Sequence, residues 1–326
     1  SFPTRRSSDL EEELKATPDA NWTGYNFSLY EDNENDELYV PITASKGCVK
    51  QCSFCDVKYS WPKYIFRNGE EVGNEIIDIY KQFNRAHIEF TDNLVNGSIT
   101  NFRLMNQTIA DKLPNTIKYK GYAICRGEKG GHPESDFELA KRAGAHLFKI
   151  GLESGSEKVR FDMKKKFTND DFDWFAKNCF KYNIRQIWLM FVGYPTESEE
   201  DFKQTLELIK NYSYMNKTVE ISPSMPMMLT NGSNMFQNHV ELEKFGLSHN
   251  HDSMSVNFWT STVYTENTWP VRHQRAKIFF DLIYELGFIT NRRYQLKCHE
   301  LDGLNSLYEN YKPKNISIPI TIRNSI

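Results

Sequence analysis

Leu38-Tyr39-Val40-Pro41-Ile42-Thr43-Ala44-Ser45-Lys46-Gly47-Cys48-Val49-Lys50-Gln51-Cys52-Ser53-Phe54-Cys55 decides how this 326-residue chain is read. Leu38–Thr43 reads as a strand, and Gly47 supplies a turn that delivers Cys48, Cys52 and Cys55 on one short loop. A loop this tight can point three thiolates at one metal centre. The next cysteine in the chain is Cys125. A centre with three protein ligands keeps one position open, and open positions are where metal chemistry happens.

Three chemistries compete for such a loop. A disulfide is a poor fit, because three cysteines are odd and the chain shows no signal peptide. Structural zinc prefers four ligands in two separated pairs, and no second CxxC or HxxxH follows; the nearest downstream histidine, His87, stands alone in an apolar strand-like run. An iron–sulfur cluster fits best, since its irons prefer thiolates and one iron can go without a protein ligand. Zinc remains the alternative on spacing alone.

Working outward, strand and helix patterns alternate. Strands are predicted at 38–43, 87–91, 118–125, 146–152, 186–192 and 219–222. Helices are predicted at 70–83, 99–113, 133–143, 156–164, 170–182 and 198–212, the last after a Thr196-Glu197 start signal. Six β/α units predict an α/β fold, a partial (β/α)6 TIM-like barrel with a small C-terminal extension. Sites in such barrels lie at the carboxyl ends of the strands, and the cysteine loop falls on that rim. Beyond it, Ser224–Trp269 is irregular, 270–286 reads as a helix ending at Gly287, and a short helical pattern spans 301–308.

Cys48-x3-Cys52-x-Phe54-Cys55, with the strand and glycine turn before it, resembles the signature of the radical S-adenosylmethionine (radical SAM) superfamily. That resemblance implies a [4Fe–4S] cluster on Cys48, Cys52 and Cys55, with SAM chelating the fourth iron. It implies one-electron cleavage of SAM to methionine and a 5′-deoxyadenosyl radical that takes a hydrogen atom from substrate, and a reductant such as flavodoxin or ferredoxin. The protein's task is then to orient the cofactor and exclude quenchers.

Further segments are similar to the family's SAM-binding ones. Phe90-Thr91-Asp92-Asn93 at the second strand's end loosely matches a stretch that holds the SAM amine; a polar turn is the plain alternative. Arg126, after the third strand, can steer a carboxylate or ribose, or pair with a neighbour such as Glu153. Gly151-Leu152-Glu153-Ser154-Gly155-Ser156 resembles a widespread family segment, with Glu153 as a SAM contact and Ser156 as a helix cap. In Met163-Lys164-Lys165-Lys166-Phe167-Thr168, Lys165 takes the family's lysine position and Lys166 stands where a glycine is expected. Gly193-Tyr194-Pro195-Thr196-Glu197 matches a turn near the adenine, and Phe54 packs either there or in the core. Cys125 reads as a small buried hydrophobe.

The combined segments look most like the class with an N-terminal cobalamin-binding domain, which includes methyltransferases and rearranging enzymes. Cobalamin is then expected through an upstream domain that this chain does not carry. Methylthiotransferases share related segments, but their extra cysteine-bearing domain and C-terminal RNA-binding domain are not recognisable. Residues 1–10 resemble a translated sequencing adapter and are read as a non-native scar. Residues 11–37 read as a linker, 38–225 as the radical SAM core, and 226–326 as a barrel-closing substrate segment.

Composition narrows the rest. A net charge of −3 gives no global field for nucleic acid. No apolar run reaches membrane-spanning length. Six cysteines without an extracellular pattern predict a reducing cytoplasm. No motif names the substrate, small molecule or peptide. The competing class is a non-catalytic iron–sulfur or zinc module that binds a partner.

Overall fold

The computed structural model describes residues 12, 21–27, 38–248 and 256–311. The sequence-predicted scar and most of the predicted linker lie outside the described residues. Six strands form one sheet: β1 Val40–Ile42, β2 His87–Phe90, β3 Lys118–Ala123, β4 Ala145–Glu153, β5 Arg185–Met190 and β6 Val219–Pro223. All neighbours are parallel and the spatial order follows the chain order. The crossovers are helical: α1 Gly69–Phe83, α2 Ile99–Lys112, α3 Glu134–Ala143, α4 Glu157–Asp162, α5 Asn169–Lys181 and α6 Glu199–Asn211. The C-terminal part adds α7 Trp269–Glu285 and α8 Asn291–Tyr311.

Right-handed crossovers in an unbroken strand order place every helix on the same face of the sheet. The burial pattern records this. Val40, Ile42, Ile88, Phe90, Tyr119, Phe148, Ile150, Trp188, Met190, Val219 and Ile221 point to the helices and are buried. The alternate residues Pro41, Glu89, Lys120, Lys149, Ile187, Leu189 and Ser222 stay partly open. The sheet is parallel, and β1 and β6 are its edges among the described residues. Pro41, which has no N–H to offer a ladder, sits on the edge strand β1. At the other edge, Ile221 N–H donates to the Phe288 carbonyl at 3.1 Å, so the turn after α7 covers β6.

Capping fixes the helix starts. Asn68, Ser98, Ser156, Thr168 and Ser198 each accept a backbone N–H of the first turn. The start of α6 is not the Thr196-Glu197 pair read from the sequence but Ser198 with Asp201, which exchange both bonds of a capping box. Thr196 instead donates to Asp162, and Glu197 is buried against Gly193 and Arg275. No helix among the described residues is long and apolar enough to cross a membrane.

Candidate active site

The cysteine loop is pinned through Ser53, which is wholly buried. Its N–H donates to the Met163 carbonyl at 3.0 Å, and its carbonyl accepts the Met235 N–H at 2.7 Å. Its hydroxyl meets the Tyr194 hydroxyl at 2.8 Å, and Tyr194 donates onward to the Asp162 carbonyl. One small residue thus ties the loop to the chain after α4, to the end of β5 and to the C-terminal segment. Gly47 enters the loop at φ +79°, where a Cβ would stand 2.2 Å from the Lys63 carbonyl oxygen. Only glycine meets both demands.

Cys48, Cys52 and Cys55 are free and half-buried. No three His, Cys, Asp or Glu side chains among the described residues converge on a point sized for one ion. A cuboidal cluster gives each thiolate its own iron, and three thiols on one short loop suit it. Burial pushes the Cys52 thiol up to about 11; Lys165 opposes this, while Glu153, Cys55 and Cys48 add to it. Burial also raises Cys55. Thiols in such surroundings ionise when iron takes the proton's place.

Facing the loop is an ion pair. Lys165 Nζ lies 2.5 Å from Glu153 Oε1, and both side chains are about 12% exposed. Glu153 stands at φ +65°, at the point where the register of β4 on β5 slips. The bulge turns its carboxylate onto the open face of the sheet. Gly151 makes the room: a Cβ there would sit 2.4 Å from Glu153 Oε1 and 2.6 Å from Lys165 Nζ. Buried Arg160 holds the Lys165 loop from behind, donating to the Ser154 carbonyl at 2.7 Å and to Asn169. Lys164 and Lys166 flank Lys165 at φ +62° and +53°. The second is the position where the family expects glycine, and the backbone shows why.

The other sequence-predicted residues divide. Phe54 packs edge-on to Phe191 at 5.2 Å, with Lys165 Nζ 5.8 Å from its ring centre. Arg126 stands on the same rim, donates to the Gly97 carbonyl and makes no bridge to Glu153. Its Nε is buried and lacks a hydrogen-bond partner among the described residues. Lys50 lies close enough to Arg126 that the two cations oppose each other, and burial lowers both. Asp92 is turned inward, accepting the Ala44 N–H at 2.9 Å and the Ser45 hydroxyl at 2.5 Å, with Asn93 half-buried beside it. Ser156 caps α4 and donates to Asp201 at 2.7 Å. Gly193, at φ +81°, gives its N–H to Glu197 at 2.7 Å. Cys125 is buried in the core.

Ser53, Tyr194, Arg160 and Gly151 therefore shape the site, and sequence reading assigned the first three no role. Only Gly151 carried a signal, as a glycine two residues before a bulged glutamate. The residues present fit the cluster and SAM on two observations. Gly151 has no Cβ where the Glu153–Lys165 pair passes over it, and Arg126 Nε is a buried donor without a partner among the described residues. A zwitterion's carboxylate and ammonium would satisfy such groups.

A model of the radical SAM superfamily matches residues 42–209. The tRNA-2-methylthio-N(6)-dimethylallyladenosine synthase of Clostridium beijerinckii is 28% identical over 185 residues, 53% of this chain and 39% of that protein. The threonylcarbamoyladenosine tRNA methylthiotransferase MtaB of Aquifex aeolicus is 26% identical over 206 residues, 57% of this chain and 49% of that protein. The chain thus spans less than half the length of these curated relatives. Among solved structures, the cobalamin-dependent S-adenosylmethionine radical enzyme OxsB with aqua-cobalamin and S-adenosylmethionine bound matches with a TM-score of 0.54 at 17% identity, over 84% of this chain and 45% of that one. The radical S-adenosylmethionine methyltransferase TsrM from Kitasatospora setae, with tryptophan substrate and a SAM analogue, matches with a TM-score of 0.54 at 16% identity, over 70% of this chain and 44% of that one. At such identities the structural likeness is one of fold.

Proposed function

The chain belongs to the radical SAM superfamily, and from that premise we propose that its own site binds a [4Fe–4S] cluster and SAM for radical abstraction of a substrate hydrogen. The enzyme class follows from the family. The observation that carries the finer reading is the approach of Cys52 to the Glu153–Lys165 pair, which stands over Gly151. Cys48, Cys52 and Cys55 would hold the cluster, which when bound supplies the electron that splits SAM into methionine and a 5′-deoxyadenosyl radical.

The protein's part is placement. Lys165, held positive by Glu153, draws a carboxylate toward the loop. Lys165 occupies Glu153 Oε1, so Oε2 is left to accept from an ammonium or a ribose hydroxyl. Arg126 Nε offers a second donor on the same rim. Phe54, Phe191 and Tyr194 wall this end with apolar surface, which keeps water from a reactive intermediate. Methyl and methylthio transfer are what the relatives' names describe, and cobalamin is named for the solved OxsB structure.

Anaerobic reconstitution tests it. Iron and sulfide near four per chain, with 5′-deoxyadenosine formed from SAM and dithionite, supports the proposal. Bound zinc with no SAM cleavage overturns it in favour of a partner-binding module.

A further inference from the structure

Parallel sheets are nearly always covered on both faces. Among the described residues this one is covered by helices on one face only, and the other face is polar along β1–β4. Its centre is a three-charge cluster. Glu89 Oε1 lies 3.0 Å from Lys149 Nζ, and Glu89 Oε2 lies 3.2 Å from Lys120 Nζ. The three side chains are 36%, 24% and 20% exposed, so the cluster is reachable from the open side. Lys120 also sits 3.5 Å above the Tyr39 ring, and Lys149 5.2 Å from that of Tyr122. The rings fix where the ammonium groups stand.

Two cations share one carboxylate, which leaves one positive charge in excess. The carboxylate across the sheet on β6, Glu220, is taken by Arg293. Each ammonium has three donors and gives one to Glu89. The cluster also has a defined place relative to the site. Lys149 precedes Gly151 by two residues on β4, roughly 7 Å along the strand, and both belong to the same face.

We propose that Lys120 and Lys149 form an anion subsite for the substrate, binding a carboxylate or phosphate group and holding the rest of a small molecule beneath the cysteine loop. This rests on the reading of that loop as the radical-generating site. Glu89 is the positioning residue: it holds the two ammonium groups together in the empty site and competes with the ligand.

The test uses the full chain, reconstituted anaerobically, with inorganic phosphate and succinate as separate probes in titration calorimetry. Saturable binding of either probe is expected, and the tighter probe identifies the group. Lys120→Gln with Lys149→Gln should weaken binding at least about tenfold, the worth of a charge-assisted hydrogen bond. Glu89→Gln should tighten it several-fold, because the competing charge is gone while the side chain stays in place. A purely structural ion cluster would not give that increase. No saturable binding to either the native chain or Glu89→Gln overturns the proposal, as does weaker binding in Glu89→Gln. Substrate-free formation of 5′-deoxyadenosine is measured alongside on the same samples. Cleavage without anion binding rejects this subsite alone, and loss of cleavage in the native chain rejects the underlying reading.

Discussion

Gly151→Ala probes the centre of the site with one methyl group. The added Cβ would meet Glu153 Oε1 at 2.4 Å and Lys165 Nζ at 2.6 Å, both far ends of flexible side chains. The backbone need not move, so the cost falls on the pair. Opening it from 2.5 Å to about 4 Å removes roughly 2.5 kcal/mol of attraction at an effective dielectric near 20. Partial rotation to solvent returns some of this, so the expected loss in SAM affinity is about ten- to sixtyfold. The assay is SAM titration of the cluster-loaded protein, with 5′-deoxyadenosine as the second readout and iron content as the control. In a Glu153→Gln background the same methyl should cost little more, because the pair it disrupts is already gone. Native-like SAM binding by Gly151→Ala would refute the assignment of this pair to the cofactor. Fully additive losses in the double variant would refute the route through Glu153.

Cys52→Ala should abolish both cluster assembly and SAM cleavage, read as iron content and 5′-deoxyadenosine; retained cleavage rejects that ligand. Lys166→Gly should raise stability by up to about 1 kcal/mol in urea unfolding, because the side chain sits at φ +53° where L-residues pay for the left-handed conformation. Tyr194→Phe should cost about 1–2 kcal/mol, since Ser53 loses its buried hydroxyl partner, and cluster yield should fall with it. Burial raises Asp92 to about 6. A carboxyl raised on folding favours the folded state below its unfolded value near 4, and that contribution is lost as pH rises through about 6. Asp92→Asn keeps an acceptor for Ala44 and should flatten the stability profile across that window; an unchanged profile rejects the assignment.

Most of the fold was legible because parallel strands and amphipathic helices leave periodic traces. The six strands lie within a few residues of their predicted positions. Helix α8, Asn291–Tyr311, is longer than the short pattern read there, since its apolar residues are sparse and packing supports it instead. The candidate site was legible where chemistry demands a residue type: Glu153 and Lys165, both named from the sequence, meet as an ion pair near Cys52. It was not legible where geometry is the whole contribution. Asp92 reads from the sequence as a ligand contact or a polar turn, and its side chain holds Ala44 and Ser45, while Ser156 caps α4 as its position in the sequence implies. Ser53 and Arg160 looked ordinary yet hold the two loops that face each other.

The sequence by itself determined the alternation of strand and helix, the rim that carries the loop, and the thiol trio, because periodicity and metal preference are local properties of residue type and spacing. Only the tertiary structure decided that Lys165 pairs with Glu153 above Gly151, and that Glu89 gathers Lys120 and Lys149 from neighbouring strands. Those meetings depend on strand register and a single bulge, which join residues dozens of positions apart and leave no periodic mark in the chain.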